Sequence, residues 1–414
     1  MEKGGAVLAE DKRRVSYIRI VGLVTAVCLM GDSMLYIALP VYWQEVGLAS
    51  LWEVGILLSV NRLVRLPLSP VVGWLYTRMS KRTGLVISVL LAACSTLGYG
   101  LFSGFAVWIV LRCLWGVAWT FLRTGAYLTI IDLSHERNRG SLLGTYNGIY
   151  RLGSLIGMLV GGGLAGVFGI RPVAIVLGLC TLLSFLFVMN NIPIPSAGHG
   201  SVSPVAGRSF NFSFLRGRRD IVFIVGTGLL FSMFCEGMFT ATLSHLIQVQ
   251  HSTVTVAGVV IEATMVSGFI QALRWSWGPW LAPWFGGRFD KASNRGRLLS
   301  LLIFGEALFF ACVPLDWPFF VWLGFILGIL LMATFLTTAI DALVSGAAST
   351  SEKVAVVTFY TLALDVGAAL GPVLGYSFHI YNVFWLSAAV LALLASAWFM
   401  TSRSRRQTDR STAA

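Results

Sequence analysis

The stretch Gly371-Pro-Val-Leu-Gly375 repeats Gly157-Met-Leu-Val-Gly161 at an offset of 214 (371 − 157). A second pair of stretches, Gly286-x-x-x-Asp290-Lys291 and Gly73-x-x-x-Thr77-Arg78, has an offset of 213 (286 − 73). Because the two offsets agree so closely, they indicate that one structural unit occurs twice in the chain, and such internal repeats decide the architecture.

Apolar runs long enough to cross a membrane surround both copies. Of the 414 residues, 57% are hydrophobic and 12% are charged, whereas a soluble domain carries about 25% charged residues. A transmembrane helix needs about 20 mostly apolar residues. Twelve runs meet that need, near 16–40, 52–76, 83–103, 105–130, 140–167, 171–191, 220–248, 253–284, 297–315, 317–343, 353–379 and 381–401. The sequence therefore predicts an all-α integral membrane protein of twelve transmembrane helices in two six-helix repeats.

A polar segment between the sixth and seventh runs sets the predicted domain boundaries. Residues 192–219 contain several prolines and glycines and four arginines, a composition typical of a linker. We predict an N-terminal six-helix bundle at 1–191, a cytoplasmic linker at 192–219, and a C-terminal six-helix bundle with a basic cytoplasmic tail at 220–414.

The positive charge of the chain is one-sided. The formal net charge is +12, from 30 Lys+Arg and 18 Asp+Glu. Most basic residues between the runs fall in loops assigned to one side, and Arg171 alone falls in a loop assigned to the other. This bias marks cytoplasmic loops. It predicts a multi-pass protein of the plasma (bacterial inner) membrane with both termini in the cytoplasm, a lipid bilayer around it and no nucleic acid as a partner. The first run is long enough to span, so we expect a first helix and not a cleaved leader.

The chain contains no recognisable arrangement of metal ligands or catalytic groups. Its six cysteines lie singly within apolar runs and its five histidines are scattered, whereas a metal site or disulfide framework needs paired spacing. Sequences of the type H-E-x-x-H or G-x-x-x-x-G-K-[ST] do not occur. We predict no cofactor, no metal and no enzymatic activity. A membrane enzyme and a receptor with a transporter fold are the less favoured alternatives.

Charged side chains inside the apolar runs are the candidate functional residues, because such side chains are costly in a membrane and usually face a cavity or a partner. The first half is rich in buried arginine and the second half in buried acid. The first half has Arg62, Arg65, Arg112, Arg123 and Arg151 against Asp32, and the second has Glu236, Glu262, Glu306, Asp341 and Asp365 against Arg274.

Several motifs together resemble those of a known family. They are Gly286-Gly-Arg-Phe-Asp290-Lys291-Ala-Ser-Asn-Arg295, its weaker copy Gly73–Arg82 with Thr77 in place of the acid, Arg112-Cys-Leu-Trp115-Gly116, Asp132-x-x-x-Glu136-Arg137, Gly31-Asp32 with Leu39-Pro40-Val41, and the fifth-run glycines Gly144, Gly153, Gly157, Gly161 and Gly162. Over nearly its whole length the chain resembles the major facilitator superfamily. Within that family it resembles the twelve-helix drug:proton antiporter branch, with Trp115 and Met158 replacing the usual Gln and Pro.

The resemblance implies roles for two groups of these residues. A cytoplasmic gate is expected to include Gly286, Asp290, Lys291, Arg78, Asp132 and Arg137. The helix-packing glycines are Gly153, Gly157 and Gly161, with Gly367 and Gly371 in the second half. The first three lie on one helix face at four-residue spacing, where small residues let helices pack closely. Packing alone and a gating movement are both compatible with that spacing.

Proton coupling is assigned to Asp32, Arg112 and Glu236. The resemblance associates Arg112 with proton coupling, and Asp32 lies at a similar depth. Glu236 corresponds to Asp32 at an offset of 204 (236 − 32). Protonation of Asp32 would release Arg112 to bind an anionic group. The alternative is a permanent structural pair of Asp32 and Arg112.

Further charges and aromatic residues are assigned to a cavity and to the contact between halves. Arg62 and Arg65 share a helix face, and guanidinium groups bind carboxylate or phosphate in a bidentate manner. The predicted substrate cavity comprises Asn61, Arg62, Arg65, Trp115, Tyr146, Tyr150 and Tyr360. In a fold of this family, Arg151 could meet Glu262, and Arg62 or Arg65 could meet Asp365, as interdomain charge pairs. Whether Arg62 and Arg65 serve the cavity or only these pairs stays open.

These assignments predict a secondary active transporter whose partners are protons and a small molecule, and we expect it to be a monomer. The leading hypothesis is proton-coupled export of a small amphipathic compound carrying an anionic group, by alternating access between two parallel repeats. The alternative is uptake or facilitated diffusion of an organic anion or a metal-chelate.

Overall fold

The structure is a computed structural model that describes residues 2–134, 139–191, 218–251, 254–256, 259–347 and 353–412. In this part of the chain the backbone is almost entirely helical. The α-helices are α1 (Glu2–Ala38), α2 (Leu51–Leu75), α3 (Lys81–Leu101), α4 (Phe105–Leu133), α5 (Arg139–Ile156), α6 (Gly162–Phe168), α7 (Ile170–Asn191), α8 (Arg219–Phe231), α9 (Thr240–Gln250), α10 (Ala263–Asp290), α11 (Arg295–Cys312), α12 (Phe319–Ala347), α13 (Lys353–Ser377) and α14 (Ile380–Thr412).

Two π-helical turns join shorter helices into continuous spans. The turn π1 (Gly157–Gly161) links α5 to α6, and π2 (Ser232–Phe239) links α8 to α9. The sequence analysis did not predict them. Because π-turns insert a residue into the helical hydrogen-bond ladder and occur often at functional sites, both segments are of interest below.

Ten helical segments in the described residues are long and apolar enough to cross a membrane. The helices α10 and α11 bring the count to the twelve that were predicted. They are less apolar because α10 contains Arg274, Pro279 and Pro283, and α11 places Arg295, Arg297 and Glu306 within 18 residues. The prediction of an all-α membrane fold with twelve helices is confirmed.

The start of the eighth span differs from the prediction. The sequence analysis began this span near residue 253, whereas α10 begins at Ala263. Strands β1 (Val254–Val256) and β2 (Val259–Ile261) precede it and pair antiparallel, with Thr255 opposite Val260. The physical reason is that both segments consist of β-branched residues, which favour extended backbone; hydropathy alone does not distinguish such a hairpin from the first turns of a helix.

The chain divides into two compact units. The first unit is Met1–Phe210 with Glu262–Ala272, and the second is Asn211–Ile261 with Leu273–Ala414. The first turns of α10 thus group with the first unit, which the predicted boundary at 191 did not foresee. The close packing of α10 at Gly268 explains this grouping. Gly268 has no side chain, and a Cβ added there would lie 2.5 Å from the carbonyl oxygen of Met158 in the first unit. The linker predicted at 192–219 lies mostly outside the described residues.

Glycines produce the same close helix packing in each unit. A Cβ added to Gly153 or Gly157 would collide with the backbone of Ala26 or Met30 in α1. In the second unit, a Cβ added to Gly367 or Gly371 would collide with the backbone of Leu229 or Met233. The glycines are related by an offset of 214 (367 − 153) and their contacts by an offset of 203 (229 − 26), so the sequence repeat corresponds to a repeated packing arrangement. Gly161 continues the row in the first unit, with Met34 Cβ 2.9 Å from the added atom.

Large apolar side chains cover the outside of the spans. Within α7, Leu183 and Leu186 are more than half exposed, and the same is true of Leu393 in α14 and Phe320 in α12. In water such a continuous apolar surface would be unfavourable. Around a transmembrane protein it is the surface that contacts lipid.

Candidate functional site

A buried ion pair between Asp32 and Arg112 forms the centre of the candidate site. The Nη1 group of Arg112 donates to Oδ1 of Asp32, and the guanidinium has no accessible surface. The same Oδ1 accepts a hydrogen bond of 3.2 Å from Nδ2 of Asn61. Three residues that the sequence analysis assigned to proton coupling and to the cavity therefore lie in one cluster, which we call the Asp32 cluster.

The packing of α2 against α4 positions this cluster. Arg112 and Gly116 are four residues apart and share a face of α4, while Leu57 and Asn61 share a face of α2. Arg112 Nε donates to the carbonyl oxygen of Leu57 over 2.8 Å. A Cβ added to Gly116 would lie 2.7 Å from the carbonyl oxygen of Asn61. The motif Arg112-x-x-x-Gly116 thus supplies both the charge and the space that the close approach requires.

Two polar atoms of the cluster are buried without a hydrogen-bond partner among the described residues. They are Nη2 of Arg112 and Oδ1 of Asn61. A buried, unsatisfied group costs about 1–3 kcal/mol, and more when it is charged. They leave this cluster with one donor atom of Arg112 and one acceptor atom of Asn61 that make no hydrogen bond among the described residues.

Arg62 and Arg65 extend the cluster along α2. Arg62 Nε donates to the hydroxyl of Tyr36 over 3.3 Å and its guanidinium lies 5.8 Å from the centre of the same ring. The guanidinium of Arg65 lies 5.3 Å from the centre of the Trp119 ring. Both arginines are partly exposed. Aromatic faces stabilise a cation without neutralising it, so these two side chains keep their positive charge near the Asp32 cluster.

The aromatic residues assigned to the cavity have different surroundings. Trp115 and Tyr146 are completely buried in the apolar core of the first unit, and Asn61, which was also assigned to the cavity, has no accessible surface either. A side chain without accessible surface does not line an open cavity. Tyr150 is partly exposed and contacts both Trp119 and Tyr146. Tyr360, buried in the second unit, donates to Oδ1 of Asp341 over 2.7 Å. Of the four aromatic residues, Tyr150 alone has exposure that suits the predicted role.

The second unit contains its own acid–arginine pair beside a fully buried carboxyl group. Glu236 in π2 accepts a hydrogen bond from Nη2 of Arg274 in α10. The neighbouring residue Cys235 donates its thiol to Oε1 of Glu306 over 3.0 Å. The sequence analysis named Arg274 and Glu306 only among charges within the spans and gave neither a role. The sequence did contain a signal for Glu306, because it is the single charged residue in the apolar run between Arg297 and Asp316.

The three residues assigned to interdomain pairs lie as follows. Arg151 is exposed on α5 and Glu262 is exposed directly before α10. Asp365 is partly buried on α13. Their pairing stays a prediction.

The predicted gate residues lie at helix ends. In the second unit, Arg295 Nη2 lies 3.3 Å from Oδ1 of Asp290 and donates over 2.8 Å to that residue's carbonyl oxygen. Gly286 lies four residues before Asp290 on α10, and Lys291, the residue after Asp290, is exposed. In the first unit, the guanidinium of Arg78 lies 4.3 Å from the Trp74 ring centre, and Lys81 forms an ion pair with Asp132. Arg137 lies outside the described residues.

The loops of the two units resemble each other in detail. Ser80 caps the N-terminus of α3 by accepting from the Thr83 amide. Asn294, at an offset of 214 (294 − 80), caps α11 by accepting from the Arg297 amide. In the first copy Thr77, which stands where the acid is missing, donates to the carbonyl oxygen of Trp74. The first copy therefore lacks the carboxylate contact that Asp290 makes with Arg295.

The twelve-helix fold, the two repeats and the acid–arginine pairs inside the spans are typical of membrane transporters. The model of the Major Facilitator Superfamily matches residues 21–289, and the chain belongs to this family. It is a multi-pass membrane protein.

Relatives of the chain are named as drug-resistance proteins. It is 28% identical over 428 aligned positions to Multidrug resistance protein MdtG of Dickeya zeae (strain Ech586), with 97% of each chain covered. To the protein of the same name from Proteus mirabilis (strain HI4320) it is 27% identical, covering 87% of this chain and 89% of that one.

Solved transporter structures share the fold. A bacterial homologue of the human lysosomal transporter Spinster, in an inward-facing and unoccupied conformation, gives a TM-score of 0.74 at 14% identity and covers 94% of this chain and 97% of its own. The peptide transporter POT in complex with sulfate gives 0.72 at 12% identity, with 95% and 94% covered. At these identities the likeness concerns the fold alone.

Proposed function

We propose that this protein is a proton-coupled exporter of small amphipathic compounds that carry an anionic group, working by alternating access in the bacterial inner membrane. The observation that carries the proposal is the Asp32 cluster, in which a buried carboxylate neutralises a buried guanidinium. The names of the relatives favour export of small molecules over their uptake. The predicted domains, the cytoplasmic termini and a monomeric state are part of this proposal.

The mechanism follows from the electrostatics of the pair. In the conformation described here, Asp32 is ionised and binds Arg112. A proton that binds Asp32 removes its charge and leaves Arg112 as an unpaired buried cation, which is expensive, so the protonated protein favours a different conformation from the ionised one. Export by antiport requires that the substrate cross the membrane with Asp32 ionised and that the proton return with Asp32 neutral. The anionic group of the substrate is therefore bound by Arg62 and Arg65, and loss of the proton to the cytoplasm restores the ion pair.

Arg62 and Arg65 are suited to the recognition of an anionic group. Each guanidinium lies against an aromatic ring, that of Arg62 against Tyr36 and that of Arg65 against Trp119, and guanidinium groups bind carboxylate or phosphate in a bidentate manner. The rings of Tyr36 and Trp119 give the same region an apolar surface. A combination of positive charge and aromatic surface suits an amphipathic anion better than a cation.

The direct test uses everted membrane vesicles that contain the protein. With a proton gradient, acid inside, we expect accumulation of the anionic dye carboxyfluorescein and none of the cationic dye ethidium, and collapse of the gradient by an uncoupler should abolish accumulation. Vesicles without the protein are the control. If the proton gradient drives carboxyfluorescein out of the vesicles and not into them, the protein is an importer. Accumulation of ethidium alone would overturn the anionic preference.

The charge of Arg151 and Glu262 provides a separate prediction. If the two side chains pair during the cycle, Arg151→Glu and Glu262→Arg should each reduce carboxyfluorescein transport at least tenfold, and the double variant should recover most of it, because reversing both charges restores the attraction. Initial rates in everted vesicles measure this. Arg403→Glu, which reverses an exposed charge on α14, is the matched control. A double variant as inactive as the single ones would contradict the pairing.

A further inference from the structure

Glu306 has surroundings that do not suit a carboxylate ion. Its side chain lies in the middle of α11 and has no accessible surface. Oε1 accepts one hydrogen bond, from the thiol of Cys235 at 3.0 Å, and Oε2 has no partner among the described residues. An ionised carboxyl group with one weak donor in such a place would cost several kcal/mol, so the neutral, protonated form is the stable one here.

The groups that act on Glu306 are few. Arg274 lies close enough to influence it electrostatically, and Glu236 holds that guanidinium in an ion pair. The helices α12 and α14 pack against α11. From α12 the single ionisable residue is Asp341, which is bonded to Tyr360. The helix α14 has none between Tyr381 and Arg403.

We infer that Glu306, Glu236 and Arg274 form a proton-binding site of the second unit, in which two carboxyl groups share one transferable proton and one cation. In the conformation described, Glu306 holds the proton while Glu236, ionised, binds Arg274. In the alternative arrangement the proton resides on Glu236, and Arg274 neutralises an ionised Glu306. The number of protons and the net charge of the three groups are the same in both arrangements.

The two acids differ in exposure and therefore in their role in the site. The side chain of Glu236 is 30% exposed, whereas Glu306 is fully buried. A proton can therefore enter or leave through Glu236 and be stored on Glu306. Both Glu236 and Cys235 lie in π2, so a change in the register of this turn would move the thiol and the carboxylate together and alter which acid Arg274 meets.

Infrared spectroscopy of the purified full-length protein in lipid nanodiscs tests the site without any substrate. At neutral pH the wild type should show the C=O stretching band of a protonated carboxyl group, and Glu306→Gln should lose that band. The decisive variant is Glu236→Gln, which retains Glu306 and removes the carboxylate that pairs with Arg274. Arg274 can then neutralise an ionised Glu306, so we expect Glu306 to lose its proton and the band to disappear in this variant as well. Glu53→Gln, which changes an acid in the first turn of α2 that accepts from the Ala49 amide, is the control and should keep the band.

Two results would overturn the inference. One is a band that persists in Glu306→Gln; the other is a band that is lost in Glu306→Gln but unchanged in Glu236→Gln, which would make Glu306 a buried acid with a purely structural role. Should Glu306→Gln not fold, Glu306→Leu takes its place, because an apolar side chain suits a site built for a neutral group.

The role of this site in transport rests on the proposed proton coupling, and a second measurement separates the two. In proteoliposomes of phosphatidylethanolamine and phosphatidylglycerol, Glu306→Gln should lose proton-driven accumulation of carboxyfluorescein while retaining exchange of the dye across the membrane. A wild type that shows the expected bands but no proton-driven accumulation contradicts the proposed function alone. A wild type that accumulates the dye, with Glu306→Gln equally active, contradicts the role of Glu306 in coupling alone.

Discussion

Protein with Arg112→Ala is expected to lose about 3–5 kcal/mol of folding free energy, because the substitution leaves the buried Asp32 carboxylate without its counter-charge. Arg112 also donates to the carbonyl oxygen of Leu57, so the contact between α2 and α4 loses a hydrogen bond at the same time. Thermal unfolding of the purified protein, followed by circular dichroism, measures the loss. Arg403→Ala, which removes an exposed arginine from α14, is the matched control and should leave the midpoint unchanged.

A double substitution separates the stability of this pair from its function. Asp32→Asn with Arg112→Met removes both charges and keeps side chains of similar size, and replacing a buried ion pair by well-packed neutral groups is often neutral for stability. We expect near-normal unfolding and no proton-driven transport of carboxyfluorescein. If the double variant transports as the wild type does, the pair is structural and the proposed coupling at Asp32 is wrong.

The second large effect is expected at the packing glycines. Gly153→Ala should destabilise the protein by about 1–3 kcal/mol, the usual cost of overpacking, since the new methyl group would meet the backbone of Ala26, which cannot rotate away as a side chain could. Gly367→Ala should behave in the same way against the backbone of Leu229. Unfolding midpoints of the purified variants measure both effects.

Gly148→Ala is the control for this prediction, because it is the same chemical change in the same helix. A Cβ at Gly148 meets nothing within 4 Å, and Ala is favoured over Gly in a helix by about 1 kcal/mol. We therefore expect Gly148→Ala to be neutral or slightly stabilising. Equal unfolding midpoints for Gly153→Ala and Gly148→Ala would contradict the close approach of α5 to α1.

Much of the candidate site could be predicted from the sequence because charges are rare in apolar runs. The similar depth of Asp32 and Arg112 in their runs predicts them as partners, and the structure places them together with Asn61. Depth could not identify Leu57, whose carbonyl group takes part through the backbone. It also could not separate Trp115 and Tyr146, which are packed in the core, from the partly exposed Tyr150, because burial depends on which neighbouring helix each ring faces.

The sequence alone determined the number of spans, the twofold repeat and the row of glycines at four-residue spacing. These features depend on local composition and on comparison of the chain with itself. Only the tertiary structure decided that 254–261 forms a hairpin, that Arg274 binds Glu236 and that Glu306 is sealed beside Cys235. The physical reason is that burial and the choice of a charged partner depend on side chains brought together from distant helices, such as positions 235 and 306, and no local property of the sequence records which helices meet.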